Sequence, residues 1–157
     1  AGSVGTGWGN GKACAVLFAR EGARVFAADK NKSAANETKR LIQEEGGSCE
    51  SFEADVVKAE SVKNMVDACV SEYGSIDILQ NNVGGSVPGG VVEMEEEVWD
   101  ANIDHNLKSA FLSCKYAVPI MLRSKVGAIV NVSSIAGMRY HRNRDMVSYS
   151  AADIFYR

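Results

Sequence analysis

Four short apolar runs, each followed by a stretch with helical spacing, constrain this chain more than any other feature. The runs are residues 24–28, 49–54, 76–80 and 126–132. Helical patterns fill residues 11–19, 33–45, 59–73 and 95–124, and a last one begins near Ser148. Val62, Met65, Val66, Cys69 and Val70 recur every three or four residues, the mark of one buried helix face. Gly22, Gly46, Gly47 and Gly74 close the first three helices. Pro119 is expected to kink the long helix near its end. Apolar strands alternating with helices imply a parallel sheet covered on both faces. The fold class is α/β, a Rossmann-like doubly wound sheet. The first residues read as a glycine-rich loop with no strand before it, so the central first strand of such a sheet is expected to be absent.

Composition narrows the function classes. The chain has 157 residues, 46% hydrophobic and 24% charged, which excludes a disordered chain and suits one domain over residues 1–157. A net charge of −3 supplies no broad basic field, so nucleic acid is not an expected partner. No apolar run approaches the ~20 residues that cross a bilayer, and no membrane association is expected. The first residues lack the charged and apolar segments of a secretory leader. Cys14, Cys49, Cys69 and Cys114 are widely spaced, without the pairs that bind metal. They read as buried free thiols in a reducing compartment, and the expected location is cytoplasmic.

The densest motif is Gly5-Thr6-Gly7-Trp8-Gly9-Asn10-Gly11, which opens a helix. Glycines let a backbone approach a pyrophosphate, and a helix N-terminus offers free N–H groups. A mononucleotide P-loop does not fit, because its first glycine falls on Thr6 and Ala13 replaces the magnesium-binding hydroxyl. A dinucleotide site fits better. Asp29 ends the next strand 18 residues beyond Gly11, where a carboxylate accepts hydrogen bonds from the adenosine ribose. It repels a 2′-phosphate, so NAD is favoured over NADP; the neighbouring Lys30 pulls the other way. The bland alternative is an acid that merely ends a strand.

Further motifs follow in order: Asp55-Val56, Asn81-Asn82-Val83-Gly84, Asn106-Leu107-Lys108, Asn131-Val132-Ser133-Ser134-Ile135-Ala136-Gly137 and Tyr149-Ser150-Ala151-Ala152. With Gly5, Gly9 and Gly11 they make the chain resemble a classical short-chain dehydrogenase/reductase over nearly its whole length. The resemblance implies NAD(P)-dependent interconversion of an alcohol and a ketone by hydride transfer. It places Gly5, Gly9, Asn10 and Gly11 at the cofactor, Asp55 and Val56 at the adenine, and Asn82 and Gly84 beside the adenosine ribose. It makes Asn106 the holder of a water in a proton relay, Ser134 the partner of the substrate oxygen and Tyr149 the general acid/base. Taken singly, Asn106 could bond locally within its helix, Tyr149 could be a packed aromatic, and Ser133 could face the site in place of Ser134. His105 and His141 match no family role and read as surface residues. The implied partners are a small alcohol or ketone and a second copy of the chain, paired through the helix bearing Ile103, Leu107, Ala110, Phe111, Cys114 and Val118. Against the family's length, strand–helix units on the C-terminal side are expected to be absent as well.

The chemistry sets one further demand. A free tyrosine titrates near 10 and needs a nearby cation to act as a base at neutral pH. The family places a lysine four residues on, on the same helix face. Here that position is Asp153. Two charges ~6 Å apart at an effective dielectric of ~20 interact by about 3 kcal/mol, or about two pKa units. Asp153 is therefore expected to raise the Tyr149 pKa and to leave the nicotinamide ribose without its anchor. Arg157, one turn further, is a poor substitute. The alternative function is a catalytically inactive dinucleotide-binding module, or a fragment without activity.

Overall fold

A computed structural model of the chain describes residues 1–2, 7–140 and 145–154. It divides into two compact units, Ala1–Ile76 and Asp77–Arg157. In the first unit, helix α1 (Asn10–Arg20) leads into strand β1 (Val25–Asp29). Helix α2 (Lys32–Glu44) follows, then β2 (Cys49–Glu53) and α3 (Ala59–Tyr73). β1 and β2 pair in parallel from Val25↔Cys49 to Asp29↔Glu53. α2 starts where the Asn31 side chain accepts the Ala34 N–H at 3.2 Å, satisfying one orphan donor of the first turn. α3 stops at Gly74, whose φ of 85° suits a residue without Cβ. Ala15, Val16, Ala27, Ile42 and Cys49 form the core. The Tyr73 hydroxyl donates to the Val25 carbonyl at 3.0 Å, fastening the end of α3 to β1.

In the second unit, β3 (Ile78–Asn81) and β4 (Ala128–Asn131) pair in parallel. Between them run α4 (Glu96–Ile103), a π-helical turn (Asp104–Lys108) and α5 (Ser109–Ser124). The expected single helix over 95–124 is thus interrupted by a wide turn, and Pro119 lies inside α5. The turn has a local cause. Asn106 Nδ2 donates to the Asn102 carbonyl at 2.8 Å, taking an acceptor that the α-helical ladder would otherwise use. Lys125 ends α5 with φ of 58°. Gly127 then passes so close that a Cβ there would meet the Met121 Cβ at 2.7 Å. A 3₁₀ turn (Ile135–Gly137) and helix α6 (Val147–Ile154) complete the unit.

Two expectations need correction. Only Cys49 is buried; Cys14, Cys69 and Cys114 are half-buried. Burial is the main reason that the Cys49 thiol is pushed up to about 11. β4 is not covered on both faces: Ile129 is 41% and Val130 46% exposed. Among the described residues of this unit, β4 pairs with β3. Of the expected stripe on the long helix, Ala110 is buried, Phe111 is exposed, and Ile103, Leu107, Cys114 and Val118 are half-buried. No helix among the described residues is long and apolar enough to cross a membrane.

The core of the first unit turns on Ile42, which is fully enclosed by small neighbours. Ile42→Ala is expected to cost about 2–5 kcal/mol, the range for a buried aliphatic truncation whose surroundings cannot collapse. Urea unfolding measures it, and a negligible shift in midpoint would show that this core is not closed around the side chain.

Candidate active site

A cavity of about 300 Å³ in the second unit is lined by Gly84, Gly85, Ser86, Ser134, Ile135, Ala136, Met146 and Tyr149. β4 delivers Ser134 at the mouth of the 3₁₀ turn. There its Oγ accepts the Ala136 N–H at 3.2 Å, a cap that orients the hydroxyl without using its proton. It is Ser134, not Ser133, that lines the cavity. Tyr149 sits half-buried in the first turn of α6 and lines the same space. The opposite wall is the loop after β3. Asn106 Oδ1 accepts the Gly85 N–H at 3.0 Å, and Nδ2 donates to the Gly85 carbonyl at 2.8 Å. With the bond to Asn102, both Nδ2 protons are engaged, and one lone pair of Oδ1 remains for a water. A Cβ at Gly84 would approach Asn106 Oδ1 to 3.2 Å, so the loop lies close against this side chain. Sequence reasoning missed Ser86 and Met146, whose Oγ and Sδ meet at 3.4 Å, and the buried Asn102. Only Asn102 left a signal, one helical turn before Asn106.

The residues assigned to a dinucleotide are placed as follows. Gly5 lies outside the described residues, as do His141 and Arg157. Gly9 is the N-cap of α1 and brings no capping side chain, and Asn10 and Gly11 form its first turn. Lys12, which the sequence did not mark, is buried, and its ammonium donates to the Gly7 carbonyl at 3.4 Å. Asp29 ends β1. Its Oδ2 accepts from the Ala1 amino group at 3.2 Å and the Gly2 N–H at 2.9 Å, and its Oδ1 accepts the Asn31 N–H at 2.8 Å. Burial works against the charged carboxylate, the N–H groups of Asn31 and Gly2 favour it, and the pKa lies below the usual value. Asp55 follows β2. Partial burial opposes its charge, and the Val57 N–H with Lys30 and Lys58 overcomes this, again lowering the pKa. Lys30 Nζ lies 3.6 Å and Lys58 Nζ 3.5 Å from Asp55 Oδ2. Val56 is in the turn that follows. Asn82 Oδ1 is buried without a hydrogen-bond partner among the described residues. Within the first unit, a helix start led by glycines and a carboxylate at the end of β1 fit the pyrophosphate and adenosine ribose of a nicotinamide dinucleotide.

Asp153 departs from what the sequence suggested. It is 4% exposed, and its Oδ2 accepts the Ser134 N–H at 2.6 Å. The carboxylate is thus turned onto the backbone of the serine loop. Burial raises its pKa above 3.8, and the bonds from Ser134, Gly137 and Ser133 counter this only in part. The folded chain therefore holds this proton to higher pH than the unfolded chain does. The stability that Asp153 contributes is complete below pH 3.8 and is lost as pH rises through the folded-state value. Thermal unfolding of the parent and Asp153→Asn across this window should show the variant gaining on the parent as pH rises. Parallel pH profiles would contradict the assignment.

The family described as short chain dehydrogenase matches residues 3–155. A 3-oxoacyl-[acyl-carrier-protein] reductase FabG of Thermotoga maritima is 36% identical over 149 residues, covering 95% of this chain and 60% of the relative. An uncharacterized oxidoreductase YxbG of Bacillus subtilis is 41% identical over 150 residues, covering 95% of this chain and 54% of the relative. A crystal structure of a short-chain dehydrogenase/reductase from Burkholderia xenovorans superposes with a TM-score of 0.95 at 42% identity, covering 99% of this chain and 61% of that one. The chain thus spans 54–61% of the length of these relatives. Its α/β fold is the Rossmann-like fold of such structures, and the chain belongs to the short-chain dehydrogenase family of NAD(P)-dependent oxidoreductases.

Proposed function

We propose that residues 1–157 act as one dinucleotide-binding domain that interconverts a small ketone and its alcohol. The observation that carries this reading is the joint presence of Ser134 and Tyr149 on one cavity. The bound dinucleotide supplies or accepts the hydride. Ser134 donates its unused hydroxyl proton to the substrate oxygen and fixes the carbonyl. Tyr149 delivers a proton to that oxygen in reduction and removes it in oxidation. Asn106 holds the loop wall and keeps one acceptor for a relay water. The cavity suits a small substrate, and the likeness to FabG, a 3-oxoacyl-[acyl-carrier-protein] reductase, points to a 3-oxoacyl group. Asn82 and Gly84 serve the cofactor beside the second unit's loop. Gly9, Asn10, Gly11, Asp29, Asp55 and Val56 serve its adenosine end, with Gly5 assigned by sequence alone.

Asp153 favours slow turnover, because it puts a carboxylate where the family has an ammonium to hold a ribose. A binding module without turnover is the second reading, favoured by this substitution. Tyr149→Phe decides between them. Reduction of ethyl acetoacetate should fall about 10²–10⁴-fold while cofactor affinity stays the same. An unchanged rate would remove Tyr149 from the chemistry, and a parent without turnover would leave the binding module.

We also propose that NAD is preferred. Asp29 Oδ1 keeps a lone pair for a ribose hydroxyl, and its lowered pKa keeps it charged against a 2′-phosphate. Lys30, drawn toward Asp55, offers no clear countercharge. Asp29→Ala should weaken NAD binding by about 10–100-fold, the scale of a hydrogen bond to a charged group, and should spare NADP. Calorimetric titration reads both, and equal affinities in the parent would overturn the preference.

A further inference from the structure

Asn106 does not hold the cavity loop alone. Asn102, one turn earlier on α4, is 5% exposed and makes the same kind of contact two residues further along the loop. Its Oδ1 accepts the Val87 N–H at 3.2 Å, and its Nδ2 donates to the Val87 carbonyl at 3.4 Å. Asn106 makes the equivalent pair with Gly85. A primary amide carries the donor and the acceptor of a peptide unit, so each asparagine pairs with one residue's N–H and C=O as a neighbouring strand would. The spacing is self-consistent. Four helical residues rise about 6 Å, and two extended residues advance about 6.6–6.8 Å. Two amides one turn apart therefore match alternate residues of an extended segment.

We propose that Asn102 is a positioning residue that, with Asn106, docks the loop 85–87 onto the helix and so fixes one wall of the substrate cavity. The clamp has a further reach. Beyond Val87 the loop bonds to the segment that starts α6: the Gly89 N–H donates to the Asp145 carbonyl at 2.9 Å, and the Val147 N–H donates to the Gly89 carbonyl at 3.3 Å. Ser86 bonds to Met146 between the two anchor points. Freeing Val87 loosens the strap that lies between the helix and the residues leading to Tyr149. Asn102 does not line the cavity; its effect passes through the backbone of Val87.

Two variants read this bond from its two ends. Asn102→Leu keeps the shape and removes the amide. Val87→Pro removes the N–H from an exposed loop residue and leaves the helix intact, so it remains informative if the buried variant fails to fold. Hydrogen exchange of the peptide covering 84–90 should quicken by about tenfold in each, with peptides of α2 unchanged. The double variant should add little to either single change. Unchanged exchange in both singles, or additive effects in the double, would overturn the clamp. The consequence for substrate rests on the reductase reading: KM for ethyl acetoacetate should rise several-fold while kcat and the cofactor KM hold, a split that general destabilisation would not produce. Faster exchange with unaltered KM overturns the positioning role. If the parent shows no turnover, it is the reductase reading that fails, and exchange alone decides the proposal.

Discussion

Parallel pairing, β1 with β2 and β3 with β4, is the constraint on which the remaining structure depends. A parallel ladder cannot be closed by a tight turn; each pair needs a crossover long enough to return the chain to the same end. In the first unit α2 provides it, and in the second α4, the π-helical turn and α5 do. Every strand then ends in a loop at its carboxyl side. Asp29, Asp55, Asn82, Gly84 and Ser134 all sit at or just past such an end. This is where open α/β sheets bind ligands, and the position follows from connectivity before any chemistry is considered.

The second unit spends unusual polarity on shaping its cavity. Asn102, Asn106, Ser109, Ser113, Ser148 and Asp153 are all buried. Buried polar atoms are tolerated when paired, and most here are. Ser109 Oγ donates to the His105 carbonyl at 2.7 Å, Ser113 Oγ to the Ser109 carbonyl at 2.9 Å, and the two asparagines divide the loop between them. Among the described residues, Ser148 Oγ has no such partner. Such a network specifies one loop conformation where apolar packing would accept several. Asp153 belongs to the same pattern: its carboxylate is held by backbone N–H groups of the serine turn, so it acts first on Ser134 and its neighbours.

How far the sequence reaches can be judged residue by residue. The α3 boundaries, Ala59 and Tyr73, follow from its apolar period and from Gly74, because local spacing and a helix stop act over a few residues. The ordered motifs single out Ser134 and Tyr149, and the fold is what brings both to the lining of one cavity. The π-helical turn at Asp104 was not legible, since it arises when Asn106 bonds the Asn102 carbonyl, a choice set by the loop that both residues hold. Nor was the burial of Asp153. Its four-residue spacing from Tyr149 suggested an electrostatic partner, whereas tertiary contact turned the side chain to Ser134 N–H. The exposure of β4 was hidden for a related reason: an apolar run signals a strand but not how many neighbours it has.

The central claim is hydride transfer at the Ser134–Tyr149 cavity, and isotope transfer tests it most directly. The chain is incubated with ethyl acetoacetate and nicotinamide dinucleotide deuterated at the reactive C4 position, and the hydroxy ester is analysed by mass spectrometry. Product accumulates over time, so a slow enzyme is still detected. Deuterium on the carbinol carbon, on a single face of the ketone, is the result this structure predicts. A hydroxy ester without deuterium, or none formed beyond the protein-free control, would contradict it.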